Sequence, residues 1–325
     1  MKFGVLLPHF CEHASIRNCI EGAKRAEAYG FESVWVRDHL VFEPHGIEGS
    51  DNTHIEGLLV LAAVAAATKN LALGTSMAIC HRHPIYLAQL FAGLSAISSG
   101  RVIMGIGLGG FPHEFAAVGY RMDIASRAEL VRTNVGLCRR LWSGERVSFK
   151  NELFDFAEVE LKPTPHNPIP VWYGGGTPAA CRRAAEYCDG WMPARITLPT
   201  FTKLLGYLRE LCAGADRPMI TAAVMPFTSV ARDREAAEGV VNIPALIAEA
   251  NKFPTWVKPP SGKFTTSQDI RGLVLAGTPD DIERESRAFE AAGADHIIYD
   301  LRFRYRDWYE QLDLLGKEVL PALRG

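Results

Sequence analysis

The sequence lacks the features that mark nucleic-acid-binding, membrane and secreted proteins. Its formal net charge is −2, so it has no excess of the basic side chains that bind nucleic acid. The longest apolar run, 58–67, is about half the length that a membrane-spanning helix needs. The apolar stretch 3–8 is too short for the core of a secretory signal. We therefore expect a small-molecule substrate and neither a nucleic-acid nor a membrane partner.

The cysteines also lack the arrangement that disulfides or a structural zinc require. The seven residues are odd in number, are scattered along the chain and include no CxxC pair. We interpret them as small buried apolar side chains and expect no disulfide and no bound metal. This usage fits a cytoplasmic location, where thiols stay reduced.

Short apolar runs alternate with helical patterns along most of the 325 residues. Eight runs predict strands, at 3–7, 33–37, 71–76, 101–106, 170–174, 190–193, 219–230 and 296–299. Helical periodicity predicts helices between them, at 15–29, 54–68, 84–98, 124–142, 177–187, 199–212 and 279–292, and a last helix at 305–323. Strands joined by helices indicate a parallel sheet covered on both faces, which either closes or stays open. Eight units favour an α/β fold with a single (β/α)₈ TIM barrel.

Two segments interrupt the repeat and are interpreted as insertions in one domain, 1–325. Apolar and polar residues alternate on both sides of Asn151, which predicts a β-hairpin near 145–162. The segment near 232–269 is long and contains several prolines. A segment of this kind is typical of a lid or mobile loop, so we predict a lid over the barrel mouth; a merely decorative insertion is the alternative.

Polar residues follow most of the predicted strands. The C-terminal ends of barrel strands meet at one rim, where the functional residues of such folds gather. We therefore expect the following residues to lie near one another: Pro8-His9, Arg37-Asp38-His39, Ser76-Met77, the run 107–110, the run 174–177, Trp191, Arg195, Tyr299, Asp300 and Arg302.

The run Gly174-Gly175-Gly176-Thr177 suggests an anion site. Glycines between a strand and a helix leave backbone N–H groups bare, and the helix N-terminus favours negative charge. Thr177 can cap the helix, with Pro178 at its first position. A tight turn without a ligand is the alternative. The second glycine run, Gly105-x-Gly107-x-Gly109-Gly110, lacks dinucleotide-binding spacing but allows a ring or ribityl chain to approach.

Three pairs of titratable residues are candidates for chemistry. Asp38-His39 combines a carboxylate with an imidazole that can move protons near neutral pH; a structural histidine is the alternative. His113-Glu114 follows the glycine run, and Glu114 either acts as an acid/base or anchors the loop. His81-x-His83 has metal-ligand chemistry, but Pro84 follows at once, so we interpret it as a polar helix entry.

These segments together resemble the luciferase-like monooxygenase superfamily, and within it the branch that uses the deazaflavin coenzyme F420. The resemblance covers nearly the whole chain and depends on the order and spacing of its pieces. They are GFESVWVRDHL (30–40), LALGTSM (71–77), HPIYLAQ (83–89), SSGRVIMGIGLGG (98–110), EFAAVG (114–119), PVWYGGG (170–176) and DGWMP (189–193).

The resemblance implies where a cofactor lies. It implies a non-prolyl cis peptide at Ser76-Met77, which forms a bulge behind the ring. It brings Asp38 and His39 to the reactive centre and the substrate, and Leu108, Gly109 and the turn 174–177 to the cofactor's chain and phosphate. Bacterial luciferase has a Glu-His pair and a strand-four arginine where this sequence has Asp38-His39 and Leu108, which favours F420 over FMN. Arg37 has no assigned role.

The leading hypothesis is an F420-dependent oxidoreductase that transfers a hydride between the deazaflavin and a small organic substrate. His39 donates or accepts the proton, Asp38 orients it, and Glu114 is a second acid/base. The alternative is an FMNH₂-dependent two-component monooxygenase, supplied by a separate reductase. A non-catalytic flavin-binding protein and a metal-dependent hydrolase are further hypotheses. The resemblance also implies a homodimer, with the apolar segments 58–67 and 85–94 as candidate contacts.

Overall fold

Eight parallel strands close into a barrel in the computed structural model, which describes residues 1–44 and 47–325. Each strand pairs with the next in chain order, and the last pairs with the first. This arrangement confirms the predicted TIM barrel. The barrel strands are β1 (Lys2–Leu6), β2 (Ser33–Val36), β3 (Ala72–Thr75), β4 (Val102–Gly107), β5 (Val171–Gly174), β6 (Gly190–Met192), β7 (Thr221–Val224) and β8 (His296–Tyr299).

Large side chains from several strands fill the barrel interior. The rings of Trp35 and Trp172 lie with centroids 5.2 Å apart. The indole N–H of Trp35 donates to Ser33 Oγ at 2.7 Å, and that oxygen lies 2.8 Å from Nε2 of the buried His296. A Cβ at Gly74 would lie 2.2 Å from the Trp35 ring, so β3 must carry glycine where this tryptophan fills the barrel.

Helices cover the barrel, and most of them begin at side-chain caps that the sequence supplies. Ser15 caps α1, Asp123 caps α4 and Thr177 caps α5, each accepting a backbone N–H of the first turn. The second helix begins at Gly57, with Glu56 as its cap, three residues later than predicted. Of the helices in the described ranges, the seven longest are α1 (Ile16–Ala28), α2 (Gly57–Ala67), α3 (Pro84–Ser98), α4 (Ile124–Trp142), α5 (Pro178–Tyr187), α6 (Leu198–Gly214) and α7 (Pro279–Ala292).

The predicted strand 219–230 is wrong as a single element. Barrel strand β7 ends at Val224, and a second strand, Phe227–Val230, leaves the barrel to pair with Val274–Gly277, a strand that was not predicted. Pro226 lies between the two strands and has no N–H for a sheet, which explains the break. The apolar run continues on both sides of Pro226, so the sequence predicted one strand instead of two.

The first predicted insertion is a β-hairpin, as its sequence indicates, and the second contains more regular structure than its sequence indicates. An antiparallel pair, Val147–Lys150 and Asp155–Val159, lies after α4. The segment 232–269 holds two helices, Arg234–Glu238 and Ile243–Asn251. A further short strand, Ala78–Ile79, and a short helix, Pro112–Ala117, border the barrel mouth.

The end of the chain is not one uniform helix. A 3₁₀ segment at Arg302–Asp307 precedes the α-helix Trp308–Leu314, a π-helical turn at Leu315–Val319 and the α-helix Leu320–Arg324. Among the residues that the structure describes, no helix has the length and apolar character to cross a bilayer.

Candidate active site

His39 lies at the barrel mouth between an arginine and a glutamate. Its Nε2 is 2.9 Å from Nη2 of Arg37, and its Nδ1 is 3.3 Å from Oε1 and 3.4 Å from Oε2 of Glu114. A guanidinium can only donate, so Nε2 accepts and the ring proton resides on Nδ1, which donates to Glu114. Burial is the largest cause that lowers the pKa of His39, and the charge of Arg37 adds to it. The geometry therefore favours a neutral imidazole.

Glu114 is fully buried and holds two parts of the mouth together. Its Oε1 accepts the backbone N–H of Leu40 at 2.7 Å and of Val41 at 3.3 Å. Burial raises the pKa of Glu114, but these bonds and the one from His39 outweigh it, so the net pKa shift is downward. Glu114 is thus an ionised carboxylate that both anchors the loop after β2 and faces His39.

Asp38 is bound away from His39. Its Oδ1 accepts from Nη2 of Arg82 at 2.7 Å, and its Oδ2 accepts from Nη1 of the same guanidinium and from the backbone N–H of Ile79 at 2.7 Å. Arg82 also donates to Glu56 at 3.3 Å. The groups that position His39 are therefore Arg37 and Glu114, and Asp38 instead ties β2 to the segment after β3.

The peptide bond Ser76-Met77 is cis, at the position where the family resemblance implies one. Three glycines surround Met77: a Cβ at Gly105 would lie 2.7 Å from its Sδ, one at Gly107 would lie 3.2 Å from its Cβ, and one at Gly174 would lie 2.5 Å from its Cγ. Ser76 Oγ faces Met225 Sδ at 3.6 Å. Glycine at these sites makes room for Met77. One of the three, Gly174, is also a residue that the resemblance expects to contact a cofactor.

The turn after β5 has the features of an anion site. Thr177 caps α5 by accepting from Ala180 N–H at 3.2 Å, and Gly175 has φ +131°, which favours glycine. Within the described ranges the N–H groups of Gly176 and Thr177 have no hydrogen-bond partner. The buried indole N–H of Trp256 has no partner among the residues that the structure describes, and it lies 3.6 Å from the position of a Cβ on Gly176. Bare donors at a helix N-terminus fit a phosphate or carboxylate.

The loop after β4 is fixed by an arginine that sequence reasoning missed. Gly109 has φ +73°, and its carbonyl accepts from Nη1 of the buried Arg127 at 2.7 Å. The Leu108 carbonyl faces the Cys80 thiol at 3.6 Å. Arg127 comes from α4, so a basic group does lie beside the strand-four loop, although the loop sequence contains none.

A row of alternating charges crosses the mouth. Its strand-end members were expected to lie at one rim, but their ion pairs and the participation of Glu48 were not predicted. Arg37 Nη1 donates to Glu48 Oε1 at 2.7 Å, and the same carboxylate accepts from Arg302. Arg302 Nη2 lies 2.7 Å from Asp300 Oδ2, which also accepts from Arg195 Nη2 at 2.8 Å. The strand-end positions of the arginines could have indicated this row, but Glu48 lies in an irregular loop with no pattern to mark it.

The three arginines of this row and Glu48 line a cavity of about 380 Å³. Its wall also includes the turn Gly175–Thr177, called the anion turn below. The segment 232–269 contributes lining residues such as Leu246 and Trp256. The cavity therefore brings the anion turn, the arginines and the insertion to one place.

His81 and His83 have structural partners. His83 Nδ1 accepts the backbone N–H of Ile85 at 3.3 Å and caps α3, as the polar helix entry predicts. The His81 ring packs edge-on against Phe115, with centroids 5.8 Å apart. In the described part of the chain, no three His, Cys, Asp or Glu side chains group as metal ligands.

The sequence is similar to a protein family and to several known proteins along most of its length. A family model described as luciferase-like monooxygenase matches residues 1–296. The chain is 27% identical to an F420-dependent glucose-6-phosphate dehydrogenase of Amycolatopsis mediterranei, covering 95% of each chain. It is 31% identical to an F420-dependent hydroxymycolic acid dehydrogenase of Mycobacterium tuberculosis, covering 99% of this chain and 88% of that one.

Solved structures share the fold at lower identity. An F420-dependent secondary alcohol dehydrogenase in complex with an F420-acetone adduct superimposes with a TM-score of 0.83 at 22% identity. The match covers 100% of this chain and 99% of the other. At this identity the likeness establishes the barrel and its connectivity.

Proposed function

The chain belongs to the luciferase-like monooxygenase family, and from this membership and the barrel-mouth geometry we propose that it is an F420-dependent oxidoreductase. It transfers a hydride between the deazaflavin and a small organic substrate. One observation carries the assignment: a neutral His39 faces an ionised Glu114 at the rim that also holds the anion turn.

The residues of the mouth fit the cofactor. When bound, the deazaflavin supplies the hydride acceptor or donor. Ser76, Met77, Leu108 and Gly109 would hold its ring and chain, and the turn Gly174, Gly175, Gly176 and Thr177 would hold its phosphate. The unpartnered N–H groups of Gly176 and Thr177 support this assignment, because an anion would satisfy them.

His39 is the group that moves the proton. In alcohol oxidation its Nε2 accepts the substrate's hydroxyl proton, and in carbonyl reduction the protonated ring returns it. Glu114 accepts from Nδ1–H and stabilises the imidazolium that forms. In this structure Arg37 donates a hydrogen bond to Nε2. Its guanidinium must therefore shift when a substrate hydroxyl binds to that nitrogen.

We extend the proposal to the rest of the molecule. The chain acts as one domain, in which the segment 232–269 serves as the lid, because that segment covers the cavity. A cytoplasmic location is supported by the seven cysteines, all of which are free thiols. When the reaction oxidises the cofactor, a separate reductase reduces it again.

We also propose a homodimer through the face formed by α2 and α3. Leu59 is 68% exposed, Tyr86 56% and Ile97 53%, and a groove of about 590 Å³ lies between them. A second copy would bury these apolar side chains. Sedimentation velocity should show a dimer for the wild type and a monomer for Ile97→Asp; a monomeric wild type would contradict the proposal.

A cofactor panel tests the function. Titration of the purified protein should show tight binding of F420 and weak binding of FMNH₂. His39→Asn should lose about 10²-fold or more of kcat with unchanged F420 affinity, since general acid–base groups contribute about that factor. The exposed His166→Asn is the control. Tight FMNH₂ binding with oxygen-dependent turnover would instead establish the monooxygenase.

A further inference from the structure

The cavity at the barrel mouth contains two separate sets of hydrogen-bond donors. One set is the turn Gly175–Thr177 with the indole N–H of Trp256. The other set is the guanidinium groups of Arg37, Arg195 and Arg302. The proposed function uses the first set for the cofactor's phosphate and leaves the second without a ligand.

The row of charges that holds these arginines has more positive than negative members. In order, it runs Arg195, Asp300, Arg302, Glu48 and Arg37, with three guanidiniums and two carboxylates. Four of the five side chains are nearly inaccessible to solvent, and the fifth, Arg195, is 26% exposed. Burying unbalanced charge costs free energy of folding. Apolar side chains of similar volume would therefore stabilise the fold about as well as this row does.

Two further carboxylates lie near the row but are bound by other groups. Glu114, on the far side of His39, accepts the backbone N–H groups of Leu40 and Val41. Glu249 forms an ion pair with Lys252 on its own helix. An anionic ligand would supply the missing negative charge at the row.

Arg195 is held so that one end of its guanidinium stays available. Its Nε and Nη2 donate to Asp300 Oδ2 at 3.0 and 2.8 Å, and the guanidinium lies 4.8 Å from the centroid of the Phe227 ring. Arg302 lies 5.1 Å from the same ring. In the part of the chain that the structure describes, Nη1 of Arg195 has no partner. A positioned guanidinium with a spare N–H is suited to a carboxylate or phosphate.

We infer that the substrate carries an anionic group, a carboxylate or a phosphate, which Arg195 binds inside the cavity. Arg302 and Arg37 add the positive potential behind it. The inference rests on the proposed function, because that function places the cofactor's phosphate at the other donor set. The same anion chemistry could come from the cofactor's own side chain, and the experiment separates these two sources.

The experiment uses inorganic phosphate as the probe, titrated calorimetrically into F420-loaded protein at constant ionic strength. Wild type should bind it saturably, and Arg195→Gln should bind it about tenfold or more weakly, because a charged hydrogen bond is lost. Arg195→Lys should recover part of the affinity. The control, Arg232→Gln, removes a surface arginine paired with Glu318 and should bind phosphate as wild type does. Circular dichroism verifies that each variant is folded.

A second measurement identifies the source of the anion. F420 affinity should be the same in wild type and Arg195→Gln, while secondary alcohols that carry a carboxylate or phosphate should be oxidised with lower KM than neutral ones of equal size. A loss of F420 affinity in Arg195→Gln, or no saturable phosphate binding to wild type, would overturn the inference. If F420 does not bind at all but phosphate binding still depends on Arg195, the proposed function fails and the anion site stands.

Discussion

Nη2 of Arg37 lies 2.9 Å from Nε2 of His39, so a positive charge faces the nitrogen that would take up a proton. This contact explains a residue that the sequence left without a role. The charge disfavours the imidazolium and the hydrogen bond orients the ring, while Glu48 holds the guanidinium from its other side at 2.7 Å. Arg37 is therefore a positioning residue for His39.

Replacing Arg37 by glutamine should move the acidic limb of the activity profile to higher pH. The Arg37 charge and, above all, burial lower the pKa of His39 from 6.5, and removal of the charge allows the pKa to rise. Since alcohol oxidation needs the neutral ring, kcat/KM should begin to fall at a higher pH than in wild type. Measurement of kcat/KM against pH, with the surface variant Arg132→Gln as the control, checks the shift. An unmoved limb would show that Arg37 does not act on His39.

Glu114→Gln should reduce kcat about 10²-fold and change KM less. The amide still accepts the N–H of Leu40 but carries no charge to stabilise the imidazolium. Steady-state kinetics at saturating cofactor measures the effect, and Glu145→Gln, which breaks a surface pair with Arg140, is the matched control. Equal losses in both variants would refute a role for Glu114 in proton transfer.

Buried His296 should make the barrel less stable as the pH falls. Burial lowers its pKa from 6.5 to about 3, so between these values the unfolded chain binds a proton that the folded chain does not. Stability is then lost on acidification, by roughly 3 kcal/mol between about pH 6.5 and pH 4, at about 1.4 kcal/mol per pH unit. Urea unfolding of His296→Asn should show a shallower pH dependence than wild type or the exposed His166→Asn. The same slope in all three would contradict this account.

Gly74→Ala should destabilise the fold by about 1–3 kcal/mol or more, because its Cβ would meet the Trp35 ring at 2.2 Å. The matched control is Gly206→Ala in the middle of α6, where a Cβ meets nothing within 4 Å. That variant should stabilise the protein by about 0.5–1 kcal/mol. Thermal unfolding compares the two, and a neutral Gly74→Ala would show that Trp35 can move.

The sequence was sufficient for the barrel because most barrel strands are short apolar runs followed by a helical pattern. It was not sufficient where apolar runs cross a break, as at Pro226, or where helices are short and contain proline, as at Ile243–Asn251. Residues close in sequence, such as Asp38 and His39, were assumed to interact. The structure instead pairs Asp38 with Arg82, and no local pattern indicates a contact over 44 positions.

The same limit applies to the candidate site. Strand-end position predicted that His39 and the turn 174–177 would gather at one rim. It did not indicate that Arg37, Glu48 and Arg302 would form one row, because Glu48 lies in a loop and its contacts span distant parts of the chain. Long-range ion pairs depend on the closed barrel and cannot be deduced before it is known.

The tight packing of glycines around Met77 divides the mouth into two halves with different freedom to change. At Gly105 and Gly174 any side chain would collide with Met77, so the half built by β3, β4 and β5 tolerates almost no variation. The segments that follow β6, β7 and β8 instead line the cavity with the side chains of Arg195, Phe227 and Arg302. New substrate preferences in this scaffold should therefore arise by substitution along the second half, while the first keeps one fixed shape.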